Sequence, residues 1–240
     1  MYNLFFFDEL KKWLRDPMTR FMLFYPILFG IVGRYVLPVI ADNSGFSIDR
    51  NADFILSALT LMMPMIYGAV IGFSILDDRD DHIVDSIRVT PLSFNHFMAF
   101  RLVIVYFFAF LASVFVMWFS AVGNLSWGNI LVVSFLASFS APITGLLINI
   151  FANNKIEGFA IMKLIGLVII LPIIALFFSD SKELFFSLIP AFWPAKMIGT
   201  LIRGEEQMFM SFRLYFWIGL IYLLVINFLS YRKFNQRVSG

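Results

Sequence analysis

The chain has 240 residues, of which 60% are hydrophobic and only 14% are charged, and its formal net charge is +2. Soluble domains have about 25% charged residues, so this composition excludes a water-soluble enzyme, and it excludes a disordered chain as well. The absence of cysteine excludes disulfide bonds and thiolate chemistry. The two histidines, His82 and His96, give no metal-binding cluster, and the weak positive charge does not indicate a nucleic-acid-binding protein.

The first predicted element, residues 1–20, is an amphipathic helix that precedes the membrane spans. Its apolar face consists of Phe6, Phe7, Leu10, Trp13 and Leu14. Its charged face consists of Asp8, Glu9, Lys11, Lys12, Arg15 and Asp16. A helix with two such faces lies in the headgroup plane of a membrane. Alternatively, this segment continues the first spanning helix.

Six charge-poor apolar runs follow, each near the length of about 20 residues that a helix needs to cross a bilayer. The predicted spans lie at about 21–41, 54–76, 102–123, 129–150, 164–179 and 214–231. Cytoplasmic segments are enriched in Lys and Arg. With both termini inside, the inner segments contain twelve Lys and Arg residues and the outer segments five. We therefore expect an all-α, multi-pass protein of the cell membrane with both termini in the cytoplasm.

Arg34 is the one charged residue within these six runs. A charge at the centre of a bilayer costs about 2.5–3.5 kcal/mol on insertion scales. The side chain is close enough to the predicted outer end of its span to reach the interface. Arg34 therefore either reaches the headgroups or makes a structural hydrogen bond, or else it has a role in gating or in substrate binding.

Small residues mark two further helix surfaces. Gly68 and Gly72 form a G-x-x-x-G pattern in the second span, and Ser134, Ser138, Ala141 and Gly145 follow one another at helical spacing in the fourth. Small residues let helix backbones approach closely. These surfaces either join two subunits or pack helices within one subunit.

The segment 77–101 between the second and third spans has too many charges to lie in lipid. Its first turns contain five aspartates, and Ile83, Val84 and Ile87 add a short apolar stripe before Thr90 and Pro91 end a predicted helix. This helix over 78–89 is either a docking element for a soluble partner or part of a solvated loop. In the docking interpretation, Asp80, Asp85 and Arg88 make charged contacts, and Ile83 and Ile87 insert between them.

The run from Asp78 to Ser93 resembles the cytoplasmic signature of ABC-2 type permeases, which also lies between spans two and three. The matching residues are Asp78, Arg79 and Asp80 at the charged start, Val84 and Asp85 as the aliphatic–acidic pair, and Thr90, Pro91 and Ser93 at the end. His82 and Ile83 replace the usual Gly-Thr pair. The layout of the chain is similar too, because the segment 180–213 resembles the helices that dip into the outer leaflet before the last span. A helix lying flat on the surface is the alternative for that segment.

The resemblance implies an ABC-2 (type V-like) permease fold, with an amphipathic helix over 1–20 and a six-span domain over 21–240. It implies the membrane subunit of an ATP-driven exporter, not an enzyme. The chain has no G-x-x-x-x-G-K-[ST] phosphate loop, so no cofactor is expected in it, and ATP and Mg²⁺ belong on a separate ABC ATPase subunit. The further partners implied are membrane lipid, a hydrophobic or amphipathic cargo (a drug, an antibiotic or a peptide), and a second permease copy in a homodimer or related heterodimer. The alternatives are a non-transporting immunity or sensory subunit and an exporter of lipid or polysaccharide.

The resemblance also assigns two sets of site residues. The residues expected to couple to the ATPase are Asp78, Arg79, Asp80, Ile83, Asp85, Ile87 and Arg88. Spans two and five are expected to face the dimer axis and line the cargo path. At helical spacing, the lining residues are Leu59, Met62, Ile66, Ala69 and Phe73 in span two, and Ile170, Ile174 and Phe177 in span five.

Overall fold

The computed structural model describes residues 2–81, 83 and 94–239, and the regular elements in these ranges are all helical. Among these residues, six helical segments are long and apolar enough to cross a membrane, which confirms the predicted all-α fold with six spans. Spans one to six lie at Pro17–Ser44, Asp49–Asp80, Phe94–Ser120, Trp127–Phe151, Lys155–Ala175 and Phe212–Val238. A separate N-terminal helix, Tyr2–Arg15, precedes span one.

Span one is built from short pieces. They are Pro17–Met22, Tyr25–Ile31, the π-helical turn Val32–Val36, and Leu37–Ser44. Proline occupies the first or second position of three of the pieces. Because proline has no backbone N–H to donate to the preceding turn, each of these positions favours the start of a new piece.

Proline also marks interruptions in spans four and five. Span four consists of Trp127–Ser138 and Ser140–Phe151. Span five consists of Lys155–Val168 and Ile170–Ala175. In each span the residue between the two pieces lies three positions before a proline, Pro142 or Pro172. The helix hydrogen bond that each proline cannot make is the local cause of the interruption.

Spans two and four form the centre of the bundle. The helix of span two, Ala52–Asp80, is continuous despite an internal proline. A Cβ atom added to Gly68 would lie 2.5 Å from the carbonyl oxygen of Ala141, and one added to Gly145 would lie 2.6 Å from Ile71 Cγ2. Asn149 Nδ2 donates to the Gly72 carbonyl oxygen at 2.9 Å across the same contact. The small residues of these two spans therefore pack against each other within one chain.

The spans differ sharply in the share of their residues that is buried within the chain. In its most apolar stretch, span two has 78% of its residues buried within the chain, whereas spans one, five and six each have 17%. Their exposed side chains are mostly apolar. A surface of this kind is suited to contact with lipid or with another membrane subunit.

The segment between spans five and six folds back into the bundle. Its helices are Ser181–Phe186 (3₁₀), Phe192–Arg203 (α) and Glu205–Gln207 (3₁₀). The Lys196 ammonium pairs with Glu183 at 2.6 Å, and both side chains are fully buried. Lys196 Nζ also donates to the carbonyl oxygen of Phe178 at 2.6 Å, and the Tyr215 hydroxyl of span six donates to Glu183. The Phe192–Arg203 helix is thus packed inside the protein instead of lying flat on its surface.

Candidate coupling site

Five polar residues, four of them buried and Lys12 partly exposed, meet where the N-terminal helix crosses the ends of spans two and three. This charge cluster consists of Glu9, Lys12, Ser74, Asp78 and Arg101. Arg101 lies at its centre and is 1% exposed. The Arg101 guanidinium donates to Glu9 Oε1 at 2.8 Å, to Ser74 Oγ at 2.6 Å and to Asp78 Oδ2 at 2.5 Å. One side chain of span three therefore holds both the N-terminal helix and span two.

Further hydrogen bonds connect the other polar groups of the cluster. Lys12 Nζ pairs with Asp78 and donates to the Ser74 carbonyl oxygen at 2.8 Å. Trp13 Nε1 donates to Glu9 Oε1 at 2.9 Å. The cluster contains two acidic and two basic side chains, so its formal charges cancel. Buried charges are tolerated in proteins when they are paired and hydrogen-bonded in this way.

A second group of ion pairs lies beside the charge cluster and reaches span five. Lys155 Nζ is 3.1 Å from Asp77 Oδ2 and 3.3 Å from Asp16 Oδ2. Asp16 also caps the first piece of span one by accepting a hydrogen bond from the Thr19 backbone N–H at 3.1 Å. Burial alone raises the pKa of Asp16, but the Thr19 hydrogen bonds and the Lys155 charge outweigh it and hold this pKa below its ordinary value. The N-terminal helix is therefore fixed at its end as well as along its length.

An open polar groove of about 730 Å³ lies between the N-terminal helix and the end of span two. It is lined by Asp8, Lys11, Lys12, Arg15, Asp16, Asp77, Asp80 and Asp81. Charged side chains of both signs line it, and the segment with the permease signature begins at its edge. The groove is thus an exposed polar surface beside the charge cluster, and Lys12 belongs to both.

The predicted coupling residues divide into three groups. Asp78 is buried in the charge cluster, and Arg79 donates to the carbonyl oxygens of Asn149 and Ala152 at the end of span four. Asp80 and Ile83 are exposed. Asp85, Ile87 and Arg88 lie outside the described residues. Of the residues that can be placed, two are thus held by their own chain and two are open to a partner.

The N-terminal helix buries residues from both of its predicted faces against the protein. Glu9 and Trp13 are buried against the bundle, whereas Phe7 and Leu14 are exposed. The sequence assigned Glu9 to a solvent-facing charged side, since a single helix gives no sign of a buried basic partner. Arg101, 92 positions along the chain, is that partner. Sequence reasoning placed Arg101 in the connecting segment and gave it no role.

Arg34 makes a structural contact with span three. Its Nη1 atom donates to the Phe119 carbonyl oxygen at 3.3 Å, and its guanidinium carbon lies 5.3 Å from the centre of the Phe119 ring. The last carbonyls of a helix have no partner within it, so the end of span three supplies an acceptor. This contact agrees with the structural hydrogen bond among the alternatives given for Arg34.

The residues predicted to line a cargo path do not surround one space within a single chain. In span two, Leu59, Ile66, Ala69 and Phe73 are buried in the chain's own core, and Met62 is half-buried. In span five, Ile170, Ile174 and Phe177 are exposed. Phe73 packs instead against Phe159, with ring centres 4.9 Å apart.

Comparison with known proteins gives a consistent set of relatives. A family model described as fluoroquinolones export permease protein Rv2686c-like matches residues 9–231. Two proteins of Mycobacterium tuberculosis are each 28% identical over 239 residues, and the alignments cover 96% of this chain and 92% of theirs. They are fluoroquinolones export permease protein MT2760 of strain CDC 1551 / Oshkosh and fluoroquinolones export permease protein Rv2686c of strain ATCC 25618 / H37Rv. No solved structure matches the chain significantly.

Proposed function

We propose a function for this chain on the premise that it belongs to the Rv2686c-like family of fluoroquinolones export permease proteins. Together with the six apolar helices, this membership identifies a multi-pass membrane permease of the ABC exporter type. Its relatives are named as permeases and not as enzymes. The finer assignments concern its cargo, its partners and its orientation.

The cargo that we propose is an aromatic, amphipathic drug of the fluoroquinolone kind. The observation that carries this proposal is the family match, because the relatives are named for fluoroquinolone export. The nature of the spans supports it. Apart from Arg34, the predicted spanning runs contain no charged side chain, so they offer a small ion or a sugar little to bind. An apolar ring system gains about 25 cal/mol per Å² of apolar surface buried against such helices.

Energy for export comes, in this proposal, from a separate ABC ATPase that docks on the terminal side of the bundle. The sequence has no phosphate loop of its own. Asp80 and Ile83 are exposed residues of the permease signature, and the polar groove borders the signature. Both the N-terminal helix and the end of span six lie at this side. We place it in the cytoplasm, in agreement with the distribution of Lys and Arg.

Two copies of the permease enclose the cargo path in this proposal. The exposed apolar surfaces of spans one, five and six provide room for such a contact. ATP binding pulls the two ATPases together and shifts the permeases between states open to the inside and to the outside. Through Arg101, a displacement of the docked segment reaches the N-terminal helix and spans two and three together.

Uptake into inside-out membrane vesicles tests the function. Vesicles contain the tagged permease and the ABC ATPase that co-purifies with it, and the probe is the fluorescent fluoroquinolone ciprofloxacin. We expect ATP-dependent accumulation of ciprofloxacin that disappears when the phosphate-loop lysine of the ATPase is replaced. Unchanged accumulation with the inactive ATPase, or accumulation of labelled lipid in place of ciprofloxacin, contradicts the proposal. ATP hydrolysis without any accumulation indicates the immunity or sensory alternative.

A further inference from the structure

An open groove runs along the side of the bundle between spans three and six, with span four at its floor. Its apolar part has a volume of about 450 Å³ and is lined by Ala99, Leu102, Val103, Tyr106, Phe135, Phe139, Pro142, Asn227, Phe228 and Tyr231. A second part of about 440 Å³ continues from it, because Phe228 and Tyr231 line both parts, and it ends at Arg232, Asn235 and Gln236. We call the two parts together the span-six groove.

The apolar part of the span-six groove has the character of an acyl-chain surface. Its polar lining groups donate within the chain, since the Tyr106 hydroxyl donates to the Phe135 carbonyl oxygen at 3.2 Å and Asn227 Nδ2 donates to the Phe139 carbonyl oxygen at 3.0 Å. From Ala99 to Tyr106 span three rises by about 10 Å. One leaflet of the hydrocarbon core is about 15 Å thick. The apolar wall therefore covers most of the depth of one leaflet.

The other end of the groove lies at the depth of the lipid headgroups. Arg232 is the first charged residue after the apolar run over 214–231, so it marks the boundary of the hydrocarbon core. The Tyr231 hydroxyl donates to Asn95 Oδ1 at 3.0 Å, and Asn235 Nδ2 donates to the same oxygen at 3.1 Å. These bonds place the first turn of span three and the last turns of span six at one level. The groove thus runs from the membrane surface inward.

The charge of the groove has one sign. Arg232 is exposed, and within the described part of the chain it has no ion pair and no hydrogen bond. No described aspartate or glutamate lines either part of the groove, and Gln236 adds an exposed amide at the same end. A guanidinium group can donate two parallel hydrogen bonds to a phosphate. This end of the groove is therefore complementary to an anionic headgroup.

We propose that the span-six groove binds one anionic phospholipid, with its phosphate on Arg232 and an acyl chain along the apolar wall. A basic site between spanning helices at the cytoplasmic surface is suited to anionic lipids. The assignment to the inner leaflet rests on the orientation given under the proposed function. A lipid held in this way bridges spans three and six above the contacts that Asn95 makes between their ends.

Lipid retention by the purified full-length permease tests the headgroup contact. The protein is delipidated in detergent and given equal amounts of dioleoyl phosphatidylglycerol and dioleoyl phosphatidylcholine, and native mass spectrometry measures which lipid it retains. We expect the unmodified protein to prefer phosphatidylglycerol, and we expect Arg232→Gln to lower that preference by about fivefold, the effect of one cation at an anionic surface. Arg232→Lys keeps the charge and should keep most of the preference.

Lys233→Gln is the matched control for the charge. Lys233 is the next residue, is also exposed and carries the same charge, but its ammonium lies 5.4 Å from the centre of the Phe151 ring and it does not line the groove. We expect Lys233→Gln to leave the preference for phosphatidylglycerol unchanged. Thermal unfolding of lipid-free Arg232→Gln should match that of the unmodified protein, because the side chain loses no partner within the described part of the chain.

Two alanines test the acyl-chain wall. Ala99 and Ala160 are both exposed, and each lies five positions after the first residue of its helix, but Ala99 lines the groove and Ala160 does not. We expect Ala99→Trp to lower the retention of both phospholipids by about threefold or more, because the indole takes up space that an acyl chain needs. Ala160→Trp places the same side chain on span five and should leave retention unchanged.

The inference is upheld when Arg232→Gln removes the preference for phosphatidylglycerol, Ala99→Trp lowers retention, and neither control does so. It is overturned when the unmodified protein retains both lipids equally, when either variant behaves as the unmodified protein does, or when a control has the same effect as its partner. It is also overturned when a single cysteine at Ala99 forms a disulfide between two copies in native membranes, since protein then covers the groove. Ciprofloxacin uptake decides the proposed function separately, because lipid retention in detergent depends neither on export nor on orientation.

Discussion

Arg101 donates a hydrogen bond of 2.8 Å to Glu9, a residue that lies 92 positions earlier in the chain. The same guanidinium holds Asp78 of span two. The N-terminal helix is therefore joined to the bundle by buried charges. A helix held in this way moves with spans two and three.

Replacement of Arg101 tests this connection. Arg101→Met leaves the Glu9 and Asp78 carboxylates buried without their main partner, and we expect the free energy of unfolding to fall by about 3–5 kcal/mol. The triple variant Glu9→Gln, Asp78→Asn, Arg101→Met removes the charges together and should recover part of that loss. Lys155→Met, which removes two partly exposed ion pairs, should cost about 0–1 kcal/mol for each. Denaturant unfolding in detergent micelles measures all three, and an Arg101→Met loss no greater than that of Lys155→Met contradicts the central role of Arg101.

Docking of the ATPase on the signature segment is the second prediction. Ile83 is exposed next to the polar groove, and we expect Ile83 and Ile87 to insert into an apolar recess of the ATPase. The double variant Ile83→Asp, Ile87→Asp places two carboxylates in that recess and should abolish co-elution of the ATPase on size exclusion. Ile156→Asp is the control, since Ile156 is an exposed isoleucine near the start of span five. Co-elution that survives the double change places the docking surface elsewhere.

Labelling of single introduced cysteines can determine the orientation in the membrane, because the chain has no cysteine of its own. Asn43 in the last turn of span one, and Asn124 and Ser181 in two connections, are exposed positions that we assign to the outside. We expect a membrane-impermeant maleimide to label these three positions in intact cells. A cysteine at position 240 should react only after the cells are lysed. Labelling of position 240 in intact cells would show that the orientation is the reverse of the one we propose.

The contact between spans two and four leaves no room for one additional methyl group. Gly68→Ala places a Cβ atom 2.5 Å from both the Ala141 carbonyl oxygen and Thr144 Cβ, and we expect a loss of about 1–3 kcal/mol in unfolding free energy. Gly166→Ala is the matched change in span five, where the nearest atom is 3.6 Å away. It should stabilise the protein by about 0.5–1 kcal/mol, because alanine favours a helix. Equal effects of the two changes on the thermal unfolding curve contradict the close packing.

The buried Lys196–Glu183 pair anchors the segment between spans five and six. Glu183→Gln leaves the Lys196 ammonium buried without a counter-charge, and we expect it to cost about 3–5 kcal/mol. Asp180→Asn removes the partner of Lys182 in a solvent-exposed pair at 3.4 Å and should cost about 0–1 kcal/mol. Denaturant unfolding compares the two variants. A small effect of Glu183→Gln means that apolar packing alone holds this segment.

The spans were predictable because crossing a bilayer demands long apolar runs, but their ends were not. The run that predicts span two stops at Leu76, whereas the helix continues to Asp80. The run that predicts span three starts at Leu102, whereas the helix starts at Phe94. A hydropathy pattern predicts that charged residues such as Asp78 and Arg101 lie outside the membrane-spanning helices. Their mutual pairing lets both remain buried within helices.

The candidate sites show the same division between local and long-range information. The signature from Asp78 to Ser93 was visible because its residues are close in sequence. The charge cluster was not, because Glu9 and Arg101 are distant and one sequence gives no sign that they pair. Glycine spacing in span two indicated a close helix contact but could not name span four as the partner.

The packing of Gly68 and Gly72 against span four has a consequence for how the protein changes shape. Sliding one of these helices along the other would drive Thr144 and Ile148 into backbone atoms. Spans two and four therefore behave as a rigid frame, fixed further by the hydrogen bond from Asn149 to Gly72. Span five is held by far fewer buried residues. We therefore expect a change of shape to move spans one, five and six, which each have only 17% of their most apolar stretch buried, relative to this frame.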